Sequence, residues 1–308
     1  MSKVLVTGGT GFVGTNLVKE LIYQGHSVDL LVRPSYNHSK VADFGKDLNG
    51  VYIADFTQPK EVLTCIKDSE PEWVFNLSSY GVHPGETSPT LSLVTNHWNV
   101  EKLLEACITV GCVKSFVHTG SCLEYGTIHE ASTEKHPLKA NTTYGYSKAL
   151  ASANIALQSV KHDFNAVTAR LYAVYGPYES KARLIPKLIE YGMKGQFPPL
   201  VSPDTARDFV YVDDVVNALI TLAKSTPPRG SAYNITSEIQ TTLRELTGVI
   251  SSIMGFTAVP VWGSMPAKQW DSTTWVGDGD KIYHELGWYT KTNLESGLQK
   301  TIDWWKQQ

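Results

Sequence analysis

A glycine-rich segment near the start of the chain, Thr7–Gly14, constrains the fold more than any other feature of the sequence. It follows a short β-branched run and leads into a segment of helical period, Phe12–Tyr23. Because glycine has no Cβ, Gly8, Gly11 and Gly14 let the backbone turn tightly and approach a pyrophosphate at the N-terminus of the following helix. The segment therefore predicts a dinucleotide-binding loop. The expected cofactor contacts in this loop are Gly8, Gly11, Phe12, Val13 and Gly14.

Short β-branched runs alternate with longer segments of helical period through the first half of the chain. The predicted strands are Lys3–Thr7, Ser27–Val32, Val51–Ala54, Trp73–Leu77, Ser115–Thr119 and Ala166–Leu171. The predicted helices include Phe12–Tyr23 and Leu91–Thr109, the second of which ends at Gly111. Such alternation is typical of an α/β fold with a doubly wound parallel sheet, the Rossmann architecture.

The pattern of the sequence changes after Pro177. Prolines become frequent there, and strand-like and helix-like runs alternate less regularly. This region predicts a second, smaller lobe. A strand-like run, Phe209–Val212, and an apolar helix, Val215–Leu222, suggest that the chain returns to the first lobe. We therefore expect a cofactor domain formed by residues 1–170 plus about 208–236. The remaining residues, about 171–207 plus 237–308, would form the substrate lobe.

Composition excludes several classes of function. The 308 residues include 27 basic and 30 acidic side chains, a net charge of −3, with no basic run that would bind nucleic acid. The four cysteines form no CxxC pair and the histidines show no ligand spacing, so neither a disulfide framework nor a metal site is expected. No apolar stretch is long enough for a signal peptide or a membrane span, which suggests the cytoplasm.

The end of the second predicted strand bears on the choice of dinucleotide. An acidic residue there usually binds the ribose 2′-hydroxyl of NAD, whereas an arginine accommodates the 2′-phosphate of NADP. The strand runs into Arg33 and Ser35, with Lys40 nearby and no acid at its tip, which favours NADP(H). A solvated surface charge at Arg33 is the alternative. Asp55 and Phe56, after the third strand, are expected near the adenine, unless Asp55 only caps a helix.

Three polar residues suggest a catalytic group. Tyr144 and Lys148 are four residues apart and so lie on one face of a predicted helix. Ser121 follows the fifth strand, at the carboxyl edge where ligands of such sheets bind. An ammonium ~6 Å from a phenol, at an effective dielectric of ~20, would lower the phenol pKa by about two units. We therefore expect Lys148 to lower the pKa of Tyr144.

The glycine loop, Ser121 and the Tyr144/Lys148 pair together resemble the extended short-chain dehydrogenase/reductase family. Further segments match and extend the likeness over nearly the whole chain: those around Asn96, Arg170–Pro177, Arg207–Val215 and Leu286–Trp288. The resemblance implies that Tyr144 is the acid/base, that Lys148 binds the nicotinamide ribose, and that Ser121 orients the reacting oxygen. It also implies that Asn96 holds the local geometry. The further cofactor contacts that it implies are Leu77, Asn96, Lys148 and Val174.

Members of that family that dehydrate hexoses carry an Asp-Glu pair directly after the serine or threonine. Cys122 and Leu123 stand there in this chain, which disfavours dehydration. The cysteine of GDP-fucose synthases lies two positions beyond the serine, so double epimerisation is also disfavoured, although His83 and Cys122 remain an alternative acid pair. A single hydride transfer remains, most like that of NDP-4-keto-6-deoxyhexose reductases. The alternatives are an NAD-dependent NDP-sugar 4-epimerase and a non-catalytic redox-sensing module.

The expected partner is a small nucleotide sugar, and a homodimer is left open. Arg207 is expected to bind the diphosphate, because a guanidinium can bond it in a bidentate way, and Arg183 is a second candidate. A surface salt bridge from Arg207 to Asp208 or Asp204 is the alternative. The predicted substrate contacts are His83, Cys122, Glu124, Ala173, Arg183 and Arg207.

Overall fold

A computed structural model describes residues 1–36, 38–82, 85–267 and 271–308. In this part of the chain the strands are β1 (Lys3–Thr7), β2 (Ser27–Val32), β3 (Gly50–Ile53), β4 (Trp73–Asn76), β5 (Ser115–Ser121), β6 (Ala166–Leu171), β7 (Ala173–Tyr175), β8 (Ala206–Tyr211), β9 (Ala232–Ile235) and β10 (Gln240–Thr242). The helices are α1 (Phe12–Tyr23), α2 (His38–Ala42), α3 (Pro59–Ser69), α4 (Pro89–Leu93), α5 (Asn99–Val110), α6 (Thr143–Lys161), α7 (Leu184–Gly192), α8 (Val212–Lys224), α9 (Leu243–Met254), α10 (Asp280–Leu286) and α11 (Leu294–Trp305).

The main sheet is parallel and seven-stranded among the described residues, in the order β3-β2-β1-β4-β5-β6-β9. Its central strands are buried on both faces, as a parallel sheet covered by helices requires. One face packs against α1 and α8, and the other against α3, α5 and α6. The predicted doubly wound α/β fold is confirmed. The carboxyl ends of β1, β4 and β5 meet at one edge, and this edge positions the site.

The predicted strands lie within one or two residues of those in the structure. The first lobe also contains a strand that the sequence pattern did not predict, Ala232–Ile235, which extends the sheet beside β6. The predicted helix Leu91–Thr109 is interrupted, because the segment Val94–Trp98 forms a wider π-helical turn between α4 and α5. Such turns occur often at functional sites. The helix ends at Gly111 in a left-handed conformation, with φ of 76°.

The second lobe contains a small sheet in the order β10-β8-β7. The strand-like run that we expected to return to the first lobe is β8, which pairs instead with β7 and β10. The return to the main sheet is made after it, by α8 and β9. Apolar side chains of α7, α9 and α11 form the core of the second lobe against this small sheet. Across the described ranges no helix is both long and apolar enough to cross a bilayer.

Candidate active site

The glycine loop between β1 and α1 leaves no room for side chains. Gly8 has φ of +68°, and a Cβ there would lie 2.6 Å from the carbonyl carbon of Leu77. A Cβ at Gly14 would lie 2.1 Å from the carbonyl oxygen of Gly8. Gly11 precedes α1, and no described side chain caps this helix. The backbone is thus open to a pyrophosphate, whose charge the helix N-terminus would favour. The other predicted contacts of this loop, in the first turn of α1, are Phe12 and Val13.

The end of β2 carries exposed polar groups beside the glycine loop. Arg33 and Ser35 follow the strand directly and both are exposed. The Lys40 ammonium donates to the carbonyl oxygen of Thr10, 3.2 Å away, so a second cation lies against the glycine loop itself. The described residues at this edge therefore include two positive side chains, of which Lys40 contacts the glycine loop.

The segment after β3 forms a turn that Asp55 stabilises. Its Oδ1 accepts hydrogen bonds from the hydroxyl of Thr57 at 2.7 Å and from the backbone N–H of Thr57 at 2.9 Å. These bonds, the side-chain one first, lower the pKa of Asp55. Phe56 packs partly against the core below. Asp55 thus holds the turn that leads into α3, and its contact with adenine stays a prediction.

The structure brings Tyr144 and Lys148 together on the first turns of α6. The helix is capped by Thr142, whose hydroxyl accepts from the N–H of Gly145 at 3.0 Å. Lys148 is only 1% exposed, and its ammonium donates to the carbonyl oxygen of Thr119 at 2.8 Å. The same ammonium lies 6.0 Å from the centre of the Tyr144 ring. Both side chains therefore face the carboxyl end of β5.

Burial dominates the protonation of this pair. It raises the pKa of Tyr144 to about 12 and lowers the pKa of Lys148 to about 8. The prediction that Lys148 lowers the pKa of Tyr144 is therefore wrong for the protein by itself, because the loss of hydration of the phenolate outweighs the distant charge. At neutral pH Tyr144 is a protonated phenol, which is a proton donor.

Ser121 ends β5 and begins the short turn Cys122–Glu124. Its hydroxyl oxygen accepts from the N–H of Leu123 at 3.2 Å. The carboxylate of Glu124 accepts from the N–H of Ser121 and from Nε of Arg170, each at 2.8 Å, and is fully buried. The expected contact of Glu124 with the substrate stays a prediction, although both of its oxygens accept bonds from protein groups. Glu124 fixes the backbone at Ser121.

The side chain of Asn96 lies in the π-helical turn and is fully buried. Its Oδ1 accepts from the N–H of Tyr80 and its Nδ2 donates to the carbonyl of Tyr80, both at 2.8 Å. Nδ2 also donates to the hydroxyl of Ser147 at 2.9 Å. Asn96 therefore joins the loop after β4 to α6. The expected contact of Asn96 with the cofactor stays a prediction, although its polar atoms bond to protein groups.

The half-buried thiol of Cys122 lies beside the indole of Trp275. Burial, as the largest cause, raises the pKa of Cys122 to about 12, so the thiol stays protonated at neutral pH. His83, the other member of the alternative acid pair, lies outside the described residues. Ala173 and Val174, predicted to contact substrate and cofactor, are partly buried in β7.

Arg207 is held by the segment that follows residue 270. Its Nη2 lies 2.6 Å from Oδ1 of Asp271, and its guanidinium stacks on Trp275 at 4.3 Å from the ring centre. The salt-bridge partner of Arg207 is therefore Asp271, and not Asp204 or Asp208, the two acids that we considered from the sequence. Asp204 lies near Arg244 at 3.7 Å, whereas Asp208 is buried and accepts from Thr236, Ser237 and Gly277.

Arg183 joins the loop after β4 to the loop after β7. Its Nη1 donates to the carbonyl of Val82 at 3.4 Å, and its Nε lies 3.7 Å from Oε1 of Glu179. Its charge lowers the pKa values of both Tyr144 and Arg207, so it lies near each of them. Arg183 therefore connects Arg207, the other predicted arginine, with the region around Tyr144.

Several side chains of this region were not predicted from the sequence. The hydroxyl of Ser79 lies close enough to the phenol to lower the pKa of Tyr144, against the larger effect of burial. Glu179 is buried in the loop after β7, and Trp275 and Asp271 surround Arg207. Ser79 is distant in the chain from Tyr144, as Asp271 and Trp275 are from Arg207, so only the tertiary structure brings these groups together. Glu179 is only four residues from Arg183, but its burial also depends on the fold.

The chain matches the model of the NAD dependent epimerase/dehydratase family over residues 4–236. It is 27% identical to a dTDP-glucose 4,6-dehydratase from Streptomyces griseus, over 98% of this chain and 93% of that protein. The chain spans about half the length, 47%, of a relative from Arabidopsis thaliana, a trifunctional UDP-glucose 4,6-dehydratase/UDP-4-keto-6-deoxy-D-glucose 3,5-epimerase/UDP-4-keto-L-rhamnose-reductase. Its identity to that relative is 24%, over 99% of this chain.

Solved structures share the fold over nearly the entire chain. A UDP-glucose 4-epimerase from Thermotoga maritima, with UDP-glucose, aligns with a TM-score of 0.88 and 25% identity, over 99% of this chain and 98% of that one. MoeE5, in complex with UDP-glucose and NAD, aligns with a TM-score of 0.86 and 25% identity, over 99% of both chains. The similar proteins thus include a dehydratase, an epimerase and a trifunctional protein with a reductase activity.

Proposed function

The chain belongs to the NAD dependent epimerase/dehydratase family, and we propose that it reduces the keto group of a nucleotide-activated 4-keto-6-deoxy sugar with NADPH. When bound, the reduced cofactor supplies the hydride for the carbonyl carbon. Tyr144 donates its proton to the carbonyl oxygen, so a single hydroxyl group forms. Lys148 would bind the nicotinamide ribose, and Ser121 would orient the reacting oxygen.

The proposal rests on the residues directly after Ser121, which cannot act as an acid and a base. A dehydratase needs an acid and a base to remove water from the sugar. Cys122 is a thiol whose pKa is raised to about 12 by burial, and Leu123 cannot ionise. Glu124 is bound to Arg170 and to the backbone. These positions therefore offer no acid/base pair, whereas Tyr144 is protonated as a reductase requires.

NADP(H) is proposed as the cofactor because of the charge beside the glycine loop. Arg33 is exposed at the end of β2, and the Lys40 ammonium bonds to the loop. Two cations suit a 2′-phosphate, and no carboxylate stands at the tip of the strand to repel it. The solved relative MoeE5 holds NAD, so the cofactor test below compares both dinucleotides.

Arg207 and Arg183 are proposed to bind the diphosphate of the nucleotide sugar. Arg207 is rigidly placed, since Asp271 and Trp275 hold its guanidinium. Arg183 is nearly half exposed and is the more accessible of the two. An NAD-dependent NDP-sugar 4-epimerase is the second candidate, supported by the likeness to the Thermotoga maritima 4-epimerase.

The test is to incubate the purified protein with NADPH or NADH and a panel of GDP-, dTDP-, CDP- and UDP-4-keto-6-deoxy sugars while cofactor absorbance is followed. We expect oxidation of NADPH with one of these nucleotides. A protein that carries NAD through gel filtration and interconverts 4-hydroxy sugars without added cofactor is an epimerase. Lack of turnover with every sugar, in either assay, would favour a non-catalytic cofactor-binding protein.

A further inference from the structure

We propose that Ser79 is a further residue of the catalytic centre, whose hydroxyl donates a hydrogen bond to Tyr144 when the phenol loses its proton. The inference rests on the proposed role of Tyr144 as the proton donor. Ser79 lies in the loop after β4, which covers the start of α6. Its place is fixed by contacts that leave its hydroxyl free to turn.

Asn96 fixes the position of this loop. It exchanges two hydrogen bonds of 2.8 Å with the backbone of Tyr80, the residue next to Ser79. It also donates to the hydroxyl of Ser147, which in turn donates to the carbonyl oxygen of Tyr144 at 2.8 Å. The backbone at Ser79 and the backbone at Tyr144 are therefore tied to the same buried amide.

The next part of the loop packs against the tyrosine ring. Gly81 has φ of +96°, and a Cβ there would lie 3.2 Å from Cδ2 of Tyr144. The ring is thus held by Gly81, two residues after Ser79. Hydrogen bonding by the Ser79 side chain lowers the pKa of the phenol, against the larger effect of burial. We infer from this arrangement that the hydroxyl of Ser79 can bond to the phenol oxygen of Tyr144.

The present bond of Ser79 is weak enough to be exchanged. Its hydroxyl donates to Oδ1 of Asn96 at 3.3 Å, a long distance for a bond between oxygens. That oxygen already accepts from Tyr80 at 2.8 Å, so it keeps a partner when the hydroxyl turns away.

The chemical consequence follows from the charge on Tyr144. As the O–H bond of Tyr144 breaks and its proton passes to the carbonyl oxygen of the sugar, a phenolate remains. A hydroxyl that turns from Asn96 to this phenolate bonds to a charged acceptor, which is stronger than a bond to a neutral one. Ser79 keeps its own proton throughout. It lowers the pKa of Tyr144 and so favours proton donation.

The experiment compares Ser79→Ala, Ser79→Thr and the matched control Ser78→Ala. The hydroxyl of Ser78 bonds to Oδ1 of Asn76 at 2.8 Å, away from the tyrosine. With dTDP-4-keto-6-deoxyglucose, or the nucleotide that the panel identifies, Ser79→Ala should lower kcat about tenfold or more. The Kd for NADPH should change less than twofold. Ser79→Thr should restore most of the rate, and Ser78→Ala should match the unmodified protein.

A second measurement is independent of turnover. The ultraviolet absorbance of tyrosinate is titrated from about pH 6 to about pH 10 with NADP⁺ bound, using Tyr144→Phe as the reference. We expect the positive charge of the oxidised nicotinamide to lower the pKa of Tyr144 into this range, below the value of about 12 that burial gives it in the protein by itself. Ser79→Ala should move the midpoint of Tyr144 upward by about one pH unit or out of the range, which is the same tenfold effect. An unmoved midpoint, or a kcat like that of the unmodified protein, would overturn the role of Ser79. Full activity of Tyr144→Phe would instead overturn the proposed function.

Discussion

The buried carboxyl of Glu179 makes the stability of this protein depend on pH. Its side chain is 6% exposed, and within the described residues its Oε2 has no hydrogen-bond partner. Burial raises the pKa of Glu179 to about 8, and the guanidinium of Arg183, with Nε 3.7 Å from Oε1, only partly opposes this. The folded protein therefore binds the glutamate proton more tightly than the unfolded chain does. Glu179→Gln removes this titration and keeps the shape of the side chain.

The magnitude follows from the difference between the two pKa values. The ordinary value is 4.5, and the folded value is about 8. Because the folded pKa is the higher one, the stability that this carboxyl contributes is fully present below about pH 4.5 and is lost as the pH rises through about 8. Linkage gives a loss of about 4 kcal/mol between about pH 5 and about pH 9. With an unfolding entropy of ~2.1 cal/mol/K per residue over the 308 residues, this corresponds to about 6 °C in Tm.

The assay is thermal unfolding followed by circular dichroism at about pH 5, about pH 7 and about pH 9. The Tm of Glu179→Gln, relative to that of the unmodified protein, should rise by about 6 °C across this range. Glu190→Gln is the control, because the side chain of Glu190 is 53% exposed. If Tm changed with pH in the same way for the unmodified protein and for Glu179→Gln, the reasoning would be refuted. Such a result would mean that Glu179 has the same pKa in the folded and unfolded states.

Four further substitutions test the proposed site. Tyr144→Phe should lower kcat about a hundredfold with cofactor affinity unchanged, and retention of more than about a tenth of the rate would contradict its role. Arg33→Asp should reverse a preference for NADPH over NADH in kcat/KM, and an unmodified protein without preference would remove this assignment. Arg207→Ala should raise the KM of the sugar nucleotide at least tenfold, about 1.4 kcal/mol, and leave cofactor affinity unchanged. Gly14→Ala should abolish cofactor binding in calorimetry, since its Cβ would lie 2.1 Å from a backbone oxygen, whereas Gly248→Ala, with open space around it, should not.

Local patterns in the sequence were sufficient for the features that depend on neighbours along the chain. The glycine spacing of Thr7–Gly14 reports where a Cβ cannot fit, and the structure has the loop at that place. The four-residue spacing of Tyr144 and Lys148 places them on one helical face whatever surrounds the helix. Buried parallel strands appear as β-branched runs, so β1, β2 and β6 have the bounds that we predicted.

Only the tertiary structure decided what each polar side chain bonds to. Glu124 and Asn96 lie in segments that resemble binding motifs, yet burial directs their polar atoms to Arg170 and to Tyr80. The partner of Arg207 is 64 residues away, at Asp271, and not beside it in the chain. The protonation of Tyr144 likewise follows from its burial, which outweighs the lysine that the sequence places one turn away.

The physical reason is the range of the forces involved. Backbone sterics and helical or strand periodicity act over a few residues, so a sequence read locally determines the loop, the strands and the pairing of Tyr144 with Lys148 on one helical face. Desolvation and hydrogen bonding act between segments that are distant in the chain, and their balance depends on which groups the fold excludes from water. The fold class and the glycine loop were therefore determined by the sequence alone, whereas the surroundings of Ser79 and Glu179 were decided by the packing of the loops over the carboxyl edge of the sheet.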